Sequence, residues 1–189
     1  FQGRFIFDND NDINEAKKFG AKVILTSKHH KNGTERIYEG LKKINKNFDL
    51  VVDIQGDEPL ISPFHIDSVV EYHKKNINSD IILPTLKIKV KVNTNIIKVV
   101  KDKNNNVLYL SRGNIPFEFK NRLSSYDKHL SIISFKTLSL EKFALHKKTP
   151  LEKVEDIELL RALEIGLKVK TLNLKGDSFS IDVLDDYKN

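Results

Sequence analysis

The chain of 189 residues contains no cysteine, which excludes disulfides and thiolate metal sites and fits a reducing compartment. No apolar run approaches the length of a membrane span. The first residues lack the charged region, apolar core and small-residue cleavage site of a signal peptide. A soluble cytoplasmic protein with no membrane partner is therefore expected. Aromatics rarely interleave with basic residues, which leaves a base-stacking platform unsupported. The net charge of +6 is carried mainly by lysine. Its densest patch, Lys87-Ile88-Lys89-Val90-Lys91, alternates with apolar residues and reads as one solvated strand face rather than a nucleic-acid surface. The charge implies only a weak attraction for anions such as nucleotides. Internal repeats and Pro/Gly/Ser-rich linkers are also missing, so residues 1–189 are expected to form a single α/β domain.

The most informative stretch is Val51-Val52-Asp53-Ile54-Gln55-Gly56-Asp57-Glu58-Pro59-Leu60. A β-branched apolar run suits a parallel strand covered by helices on both faces. Gly56 allows close backbone approach to a ligand, and Pro59 stops the strand. Two carboxylates then stand beyond the strand's C-terminal end, where open α/β sheets bind ligands. A solvated Asp-Glu turn is the plainer alternative.

Around this stretch, strand and helix signals alternate. Residues 4–7 and 21–26 read as strands flanking a helix over Ile13–Phe19, with Asp12 as cap, Glu15 as capping-box partner and Gly20 as stop. Such a strand–helix–strand order predicts a parallel pair. Thr34 is placed to cap a helix over 35–44, after a donor-rich loop in which Gly33 is conformationally free and His29 and His30 read as solvated. Pro63 opens a helix with Ile66, Val69, Val70 and His73 inward. Segments 80–85, 86–92, 96–101 and 107–110 read as extended, with a turn at Asp102–Asn106. Arg112 follows at a strand end, placed for a carboxylate or phosphate, although a lone Arg is also an ordinary surface ion-pair residue. Lys128–Phe135 reads as one strand and Thr137–Leu145 as a short helix. One helix is expected from Pro150 to about Gly166, with Glu155, Asp156 and Glu158 complementing its positive end. A strand over 168–174 and a strand end at Asp182 complete the pattern, with an antiparallel insertion at about 83–135.

Three separated acidic positions result: Asp57 with Glu58, Glu155 with Glu158, and Asp182. Hard carboxylates without cysteine suit Mg²⁺, which keeps water and substrate phosphates among its ligands. With the cations Arg112 and Lys128 and the donor His129, they point to phosphoryl or nucleotidyl transfer.

Six motifs, in order, carry a resemblance: Asn-Gly-Thr-Glu-Arg (32–36), Gln-Gly-Asp-Glu-Pro-Leu-Ile (55–61), Leu-Tyr-Leu-Ser-Arg-Gly-Asn-Ile-Pro-Phe (108–117), Lys-His (128–129), Glu-Asp-Ile-Glu-Leu-Leu-Arg-Ala-Leu-Glu-Ile-Gly (155–166) and Ile-Asp-Val-Leu-Asp-Asp (181–186). Together they resemble the 3-deoxy-manno-octulosonate cytidylyltransferase (CMP-Kdo synthetase) family over nearly the whole chain. That resemblance implies a three-layer, mostly parallel sheet of the nucleotide-diphospho-sugar transferase type, with residues 83–135 serving the sugar side and dimerisation. It implies formation of CMP-Kdo and pyrophosphate from CTP and Kdo for lipopolysaccharide synthesis, commonly by a homodimer. Matched by position, Asp57 and Asp182 are the catalytic Mg²⁺ ligands. Gly33, Thr34, Arg36 and Gln55 lie on the nucleotide side, and Arg112, His129 and Glu158 face the sugar acid. The family's opening strand and its basic loop, Arg-x-x-Ser-x-Arg-x-x-x-Lys, find no match, so the chain reads as N-terminally incomplete. Leu159 and Ile133 stand where the family has Gln and Tyr, and Val183 where it has Thr. Leu159 and Ile133 imply a less polar acceptor pocket and admit another nonulosonic acid as acceptor, whereas Val183 keeps the Asp182 ligand and removes a hydroxyl. A non-catalytic nucleotide-binding module is the other reading.

Overall fold

The computed structural model describes residues 3–56, 61–89 and 93–176. The chain opens with strand β1 (Phe5–Phe7), helix α1 (Asp10–Lys18) and strand β2 (Val23–Leu25), and β1 pairs with β2 in parallel, as expected of a crossover. The α1 cap differs from expectation. Asn9, not Asp12, is the cap, accepting from the Asp12 backbone N–H at 2.9 Å. The helix begins earlier because Asn9 and Asp12 also bond side chain to side chain, at 2.8 Å, and so satisfy the first turn. Gly20 follows the helix at φ +73°, the left-handed position that ends it.

Helix α2 (Gly33–Ile44) leads to β3 (Leu50–Ile54), and α3 (Pro63–Lys75) leads to β4 (Ile81–Ile88). The cap of α2 is Asn32, whose side chain accepts from the Glu35 N–H at 2.9 Å. That releases Thr34, the expected cap, for another bond. Gly40 of α2 lies against β1; a Cβ there would stand 2.6 Å from the terminal methyl of Ile6, which would have to shift to admit it. Strands β5 (Lys98–Lys101) and β6 (Val107–Ser111) form the expected hairpin, turning through Asn105 at φ +65°. The anticipated single strand over 128–135 is two, β7 (Tyr126–His129) and β8 (Ile132–Lys136), which pair with different ends of β4. Helices α4 (Thr137–Ala144), α5 (Pro150–Glu155) and α6 (Leu159–Glu164) precede β9 (Val169–Asn173).

The α/β class holds, but the pairing sense differs from a mostly parallel sheet. In the order β3-β8-β4-β7-β5-β6 each neighbouring pair is antiparallel, and β9 joins β4 in parallel. The misreading has a simple cause. Ile81 and Leu83 pack with Leu41, Phe143 and Leu160, whereas Ile82 and Leu86 pack with Val69 of α3. Strands buried on both faces lose the apolar–polar alternation that marks antiparallel sheets, so they read as parallel ones. Among the described residues, no helix is long and apolar enough to cross a membrane.

The long helix expected from Pro150 to Gly166 is broken. Asp156 takes φ +51°, ψ +46° and ends α5, so Glu155, Asp156 and Glu158 lie at a corner between helices rather than in a first turn. A left-handed residue cannot continue a right-handed helix, and this break points Glu155 and Glu158 in different directions.

Candidate functional site

Residues 31–33, the end of β3, the β5 approach, β7, β8 and the α5–α6 corner enclose a cavity of about 390 Å³. Of the residues singled out from the sequence, Gly33, Gln55, Arg112, His129 and Glu158 line it. Thr34 and Arg36 do not. Thr34 is fully buried and donates its hydroxyl to Glu158 Oε1 at 2.9 Å, fastening α2 to the corner. Arg36 bonds Asp8 at 2.8 Å and the Thr26 hydroxyl at 3.2 Å, which ties α2 to the ends of β1 and β2. Asp57 and Asp182 lie outside the described residues. Among those described, no group of three or more carboxylate or imidazole side chains could hold a metal ion. His30, expected to be solvated, is engaged by the carboxylate of Glu39.

The β3 end reaches the cavity because Gln55 continues the sheet, its N–H donating to Ser131 O at 3.1 Å. Arg112, at the end of β6, is held by backbone rather than by carboxylate. Its Nε donates to Glu155 O at 2.9 Å, Nη1 to Thr94 O and Nη2 to Asp156 O, both at 3.1 Å. Glu155 accepts from the Arg112 N–H at 3.0 Å and the Ser111 hydroxyl at 2.7 Å. Behind them, buried Lys98 donates to Asn93 O at 2.5 Å and Arg112 O at 2.7 Å. Burial, then the charge of Arg112, lowers its pKa.

His129 and Glu158 bring unused polar atoms to the cavity. Nε2 of His129 and Oε2 of Glu158 are shielded from solvent and have no hydrogen-bond partner. Burial, reinforced by adjacent Lys128, pushes the imidazole down to about 4, so it is neutral near pH 7. Burial also raises the Glu158 carboxyl, opposed by the Thr34 hydroxyl and by Arg161. Unsatisfied buried groups are costly in an empty site and are met when a polar ligand enters. The lining cations are Lys31, Arg112, Lys128 and Lys148. Facing them are Asp156, Glu152, which is paired with Arg161, and Glu158, which burial biases towards its neutral form. The balance favours an anion. Ile133 and Leu159 form part of an apolar wall beside Ile97 and Ile157.

Sequence reasoning passed over Lys98, Lys148, Glu152 and Arg161. Lys98 offered one signal, a lysine within an apolar strand run; Glu152 and Arg161 read as ordinary helix-surface charges and Lys148 as a loop charge.

Comparison with known proteins defines the class. The fold matches that of a CMP:2-keto-3-deoxy-manno-octonic acid synthetase solved in complex with CTP, with a TM-score of 0.88, at 23% identity, over 98% of this chain and 77% of that one. The chain belongs to the cytidylyltransferase family, whose model matches residues 8–171. It is 40% identical over 180 residues to the 3-deoxy-manno-octulosonate cytidylyltransferase of Fusobacterium nucleatum, covering 93% of this chain and 72% of that relative. It is 37% identical to the mitochondrial enzyme of the same name from Arabidopsis thaliana, covering 95% of this chain and 63% of the relative.

Proposed function

We propose that this protein catalyses transfer of CMP from CTP to Kdo or a related 3-deoxy-ulosonic acid, for lipopolysaccharide synthesis in the cytoplasm. The observation carrying this reading is a single cavity lined jointly by Gly33 and Gln55 and by Arg112, His129 and Glu158. In the reaction the acceptor's anomeric hydroxyl oxygen attacks the α-phosphorus. A new O–P bond forms, the bond to the β-phosphate bridging oxygen breaks, pyrophosphate leaves with that electron pair, and the hydroxyl proton passes to solvent. No covalent enzyme intermediate is required.

The Gly33 end of α2 and Gln55 serve the nucleotide, because the positive end of a helix favours anions and polar ring edges. Arg112 and His129 serve the acceptor. A guanidinium braced by three carbonyls offers a fixed charge to the acid's carboxylate, and a neutral imidazole exchanges hydrogen bonds with hydroxyls. Glu158, turned to the cavity by the α5–α6 break, accepts from an acceptor hydroxyl. Such positioning contributes to rate by converting an encounter of two bound reactants into an effectively intramolecular step.

Asp57 and Asp182 would hold Mg²⁺. Their hard oxygen donors suit the ion, which when bound neutralises phosphate charge and acidifies the attacking hydroxyl. We assign residues 83–135 to the acceptor side and to a homodimer contact, within a three-layer domain of the nucleotide-diphospho-sugar transferase type.

The apolar pair Ile133 and Leu159 favours a second acceptor reading, a nonulosonic acid presenting fewer hydroxyls to that wall. Pyrophosphate release by the full-length protein with CTP and a panel of sugar acids decides between them. Release with Kdo supports the first reading, and release only with another acid supports the second. CTP binding in calorimetry without turnover on any acid would leave a non-catalytic module.

A further inference from the structure

Arg161 has no exposed surface and does not line the cavity, yet it is bonded to both of its walls. Its Nε and Nη2 donate to the two oxygens of Glu152 at 2.8 and 2.6 Å. Its Nη1 donates to His146 O at 3.0 Å and reaches Glu35 Oε1 and Phe143 O, each at 3.3 Å. The Phe143 ring lies 4.6 Å from the guanidinium carbon. Each carboxylate then grips a backbone segment at the cavity. Glu35 accepts from the Lys31 N–H at 3.1 Å, holding the loop that presents Gly33. Glu152 accepts from the Thr149 N–H at 3.2 Å, holding the start of α5 beside Lys148. A second bond crosses the same seam, Thr34 to Glu158.

We propose that Arg161 is a positioning residue: through Glu35 and Glu152 it fixes the nucleotide-side loop against the acceptor-side corner, so that the two substrates meet at a set separation. The proposal rests on the transfer reading given above. A planar fork that bridges two carboxylates is a geometry lysine cannot reproduce. Stability alone does not account for it, since desolvation offsets much of the attraction in a buried ion pair. The adjacency is economical in sequence as well. Glu35 follows Thr34, and Arg161 lies one helical turn beyond Glu158, so both bridges stiffen one junction.

The test is steady-state kinetics on the full-length protein, reading pyrophosphate release with CTP and the acceptor identified for it. Glu35→Gln removes the charge of the weaker arm and leaves the Glu152 pair intact, so the variant folds. We expect kcat to fall about three- to tenfold, the range of one lost charge-assisted hydrogen bond of long geometry, with both KM values changing less and the thermal midpoint nearly unchanged. Arg161→Lys lowers kcat in the same direction. If either variant leaves kcat at the wild-type level, whether or not its thermal midpoint falls, the role is structural and the proposal fails. If the wild type binds CTP but releases no pyrophosphate, the transfer reading fails. Positioning of the nucleotide loop is then decided by calorimetry with CTP, where weaker binding by Glu35→Gln supports it and equal binding overturns it.

Discussion

Replacing Thr34 with valine tests the seam between α2 and the α5–α6 corner most directly. Valine keeps the branched shape of threonine in a fully buried position, so packing is largely retained and the hydroxyl is the main loss. The lost bond is 2.9 Å long and ends on a carboxylate whose other oxygen already has no partner. Hydrogen bonds to ionised acceptors contribute about 1.5–3 kcal/mol and those to neutral ones about 0.5–1.5 kcal/mol, so a loss of about 2 kcal/mol is expected at pH values where the carboxyl is ionised. For a chain of this length that corresponds to a fall of about 4–8 °C in thermal midpoint.

The pH dependence gives the sharper check. Burial holds the Glu158 carboxyl above its ordinary value, and the Thr34 hydroxyl opposes that rise. A carboxyl raised in the folded state favours folding most below its unfolded value, and that contribution is lost as pH rises through the folded value. Removing Thr34 raises the carboxyl further and enlarges the loss. The difference between wild type and Thr34→Val should therefore be larger at about pH 8 than at about pH 4, where the carboxyl is largely protonated in both states. Circular dichroism melts of the two proteins across that range measure it. A difference that is constant with pH, or a variant as stable as wild type, would refute the reasoning.

Three further expectations address the cavity walls. Arg112→Lys cannot reproduce bonds to the Glu155, Thr94 and Asp156 carbonyls; it should raise the acceptor KM about tenfold while leaving the CTP KM nearly unchanged. Equal effects on both substrates would move Arg112 off the acceptor side. His129 should titrate near 4 by NMR, against an ordinary 6.5, and the pKa depression makes folding less favourable as pH falls through that interval; a midpoint near 6.5 contradicts the buried environment assigned to it. Leu159→Gln adds a polar group to the apolar wall and should shift relative kcat/KM towards acceptors that present a hydroxyl there; an unchanged ratio means that this wall does not touch the acceptor.

Much of the local structure was legible because it depends on neighbours in the chain. The Gly20 stop, the Asp102–Asn106 turn and the inward stripe of α3 follow from backbone freedom, turn chemistry and helical spacing. The two helix caps differ from expectation because several adjacent polar residues can cap, and the choice between Asn32 and Thr34 turns on which side chain has a better partner elsewhere. Thr34 has one 124 positions away, on Glu158. The break at Asp156 was missed for a related reason. Helical spacing of Val154, Ile157, Leu160 and Leu163 continues across it, and only tertiary contacts to the flanking carbonyls show why the backbone turns there.

By itself, the sequence determined the α/β class, the absence of thiol chemistry, the family resemblance and five of the residues that line the cavity, Gly33, Gln55, Arg112, His129 and Glu158. Each depends on composition or on motifs whose order survives without coordinates. Tertiary structure alone decided which of those residues share one space. Gln55, Arg112, His129 and Glu158 converge although they stand far apart in the chain, whereas Arg36 turns away to Asp8. It also decided the antiparallel pairing of the sheet and the place of Arg161, whose four anchors are Glu35 of α2, Glu152 of α5, Phe143 O of α4 and His146 O just beyond it. A buried charge looks like a surface charge in sequence, because burial is a property of what packs over it.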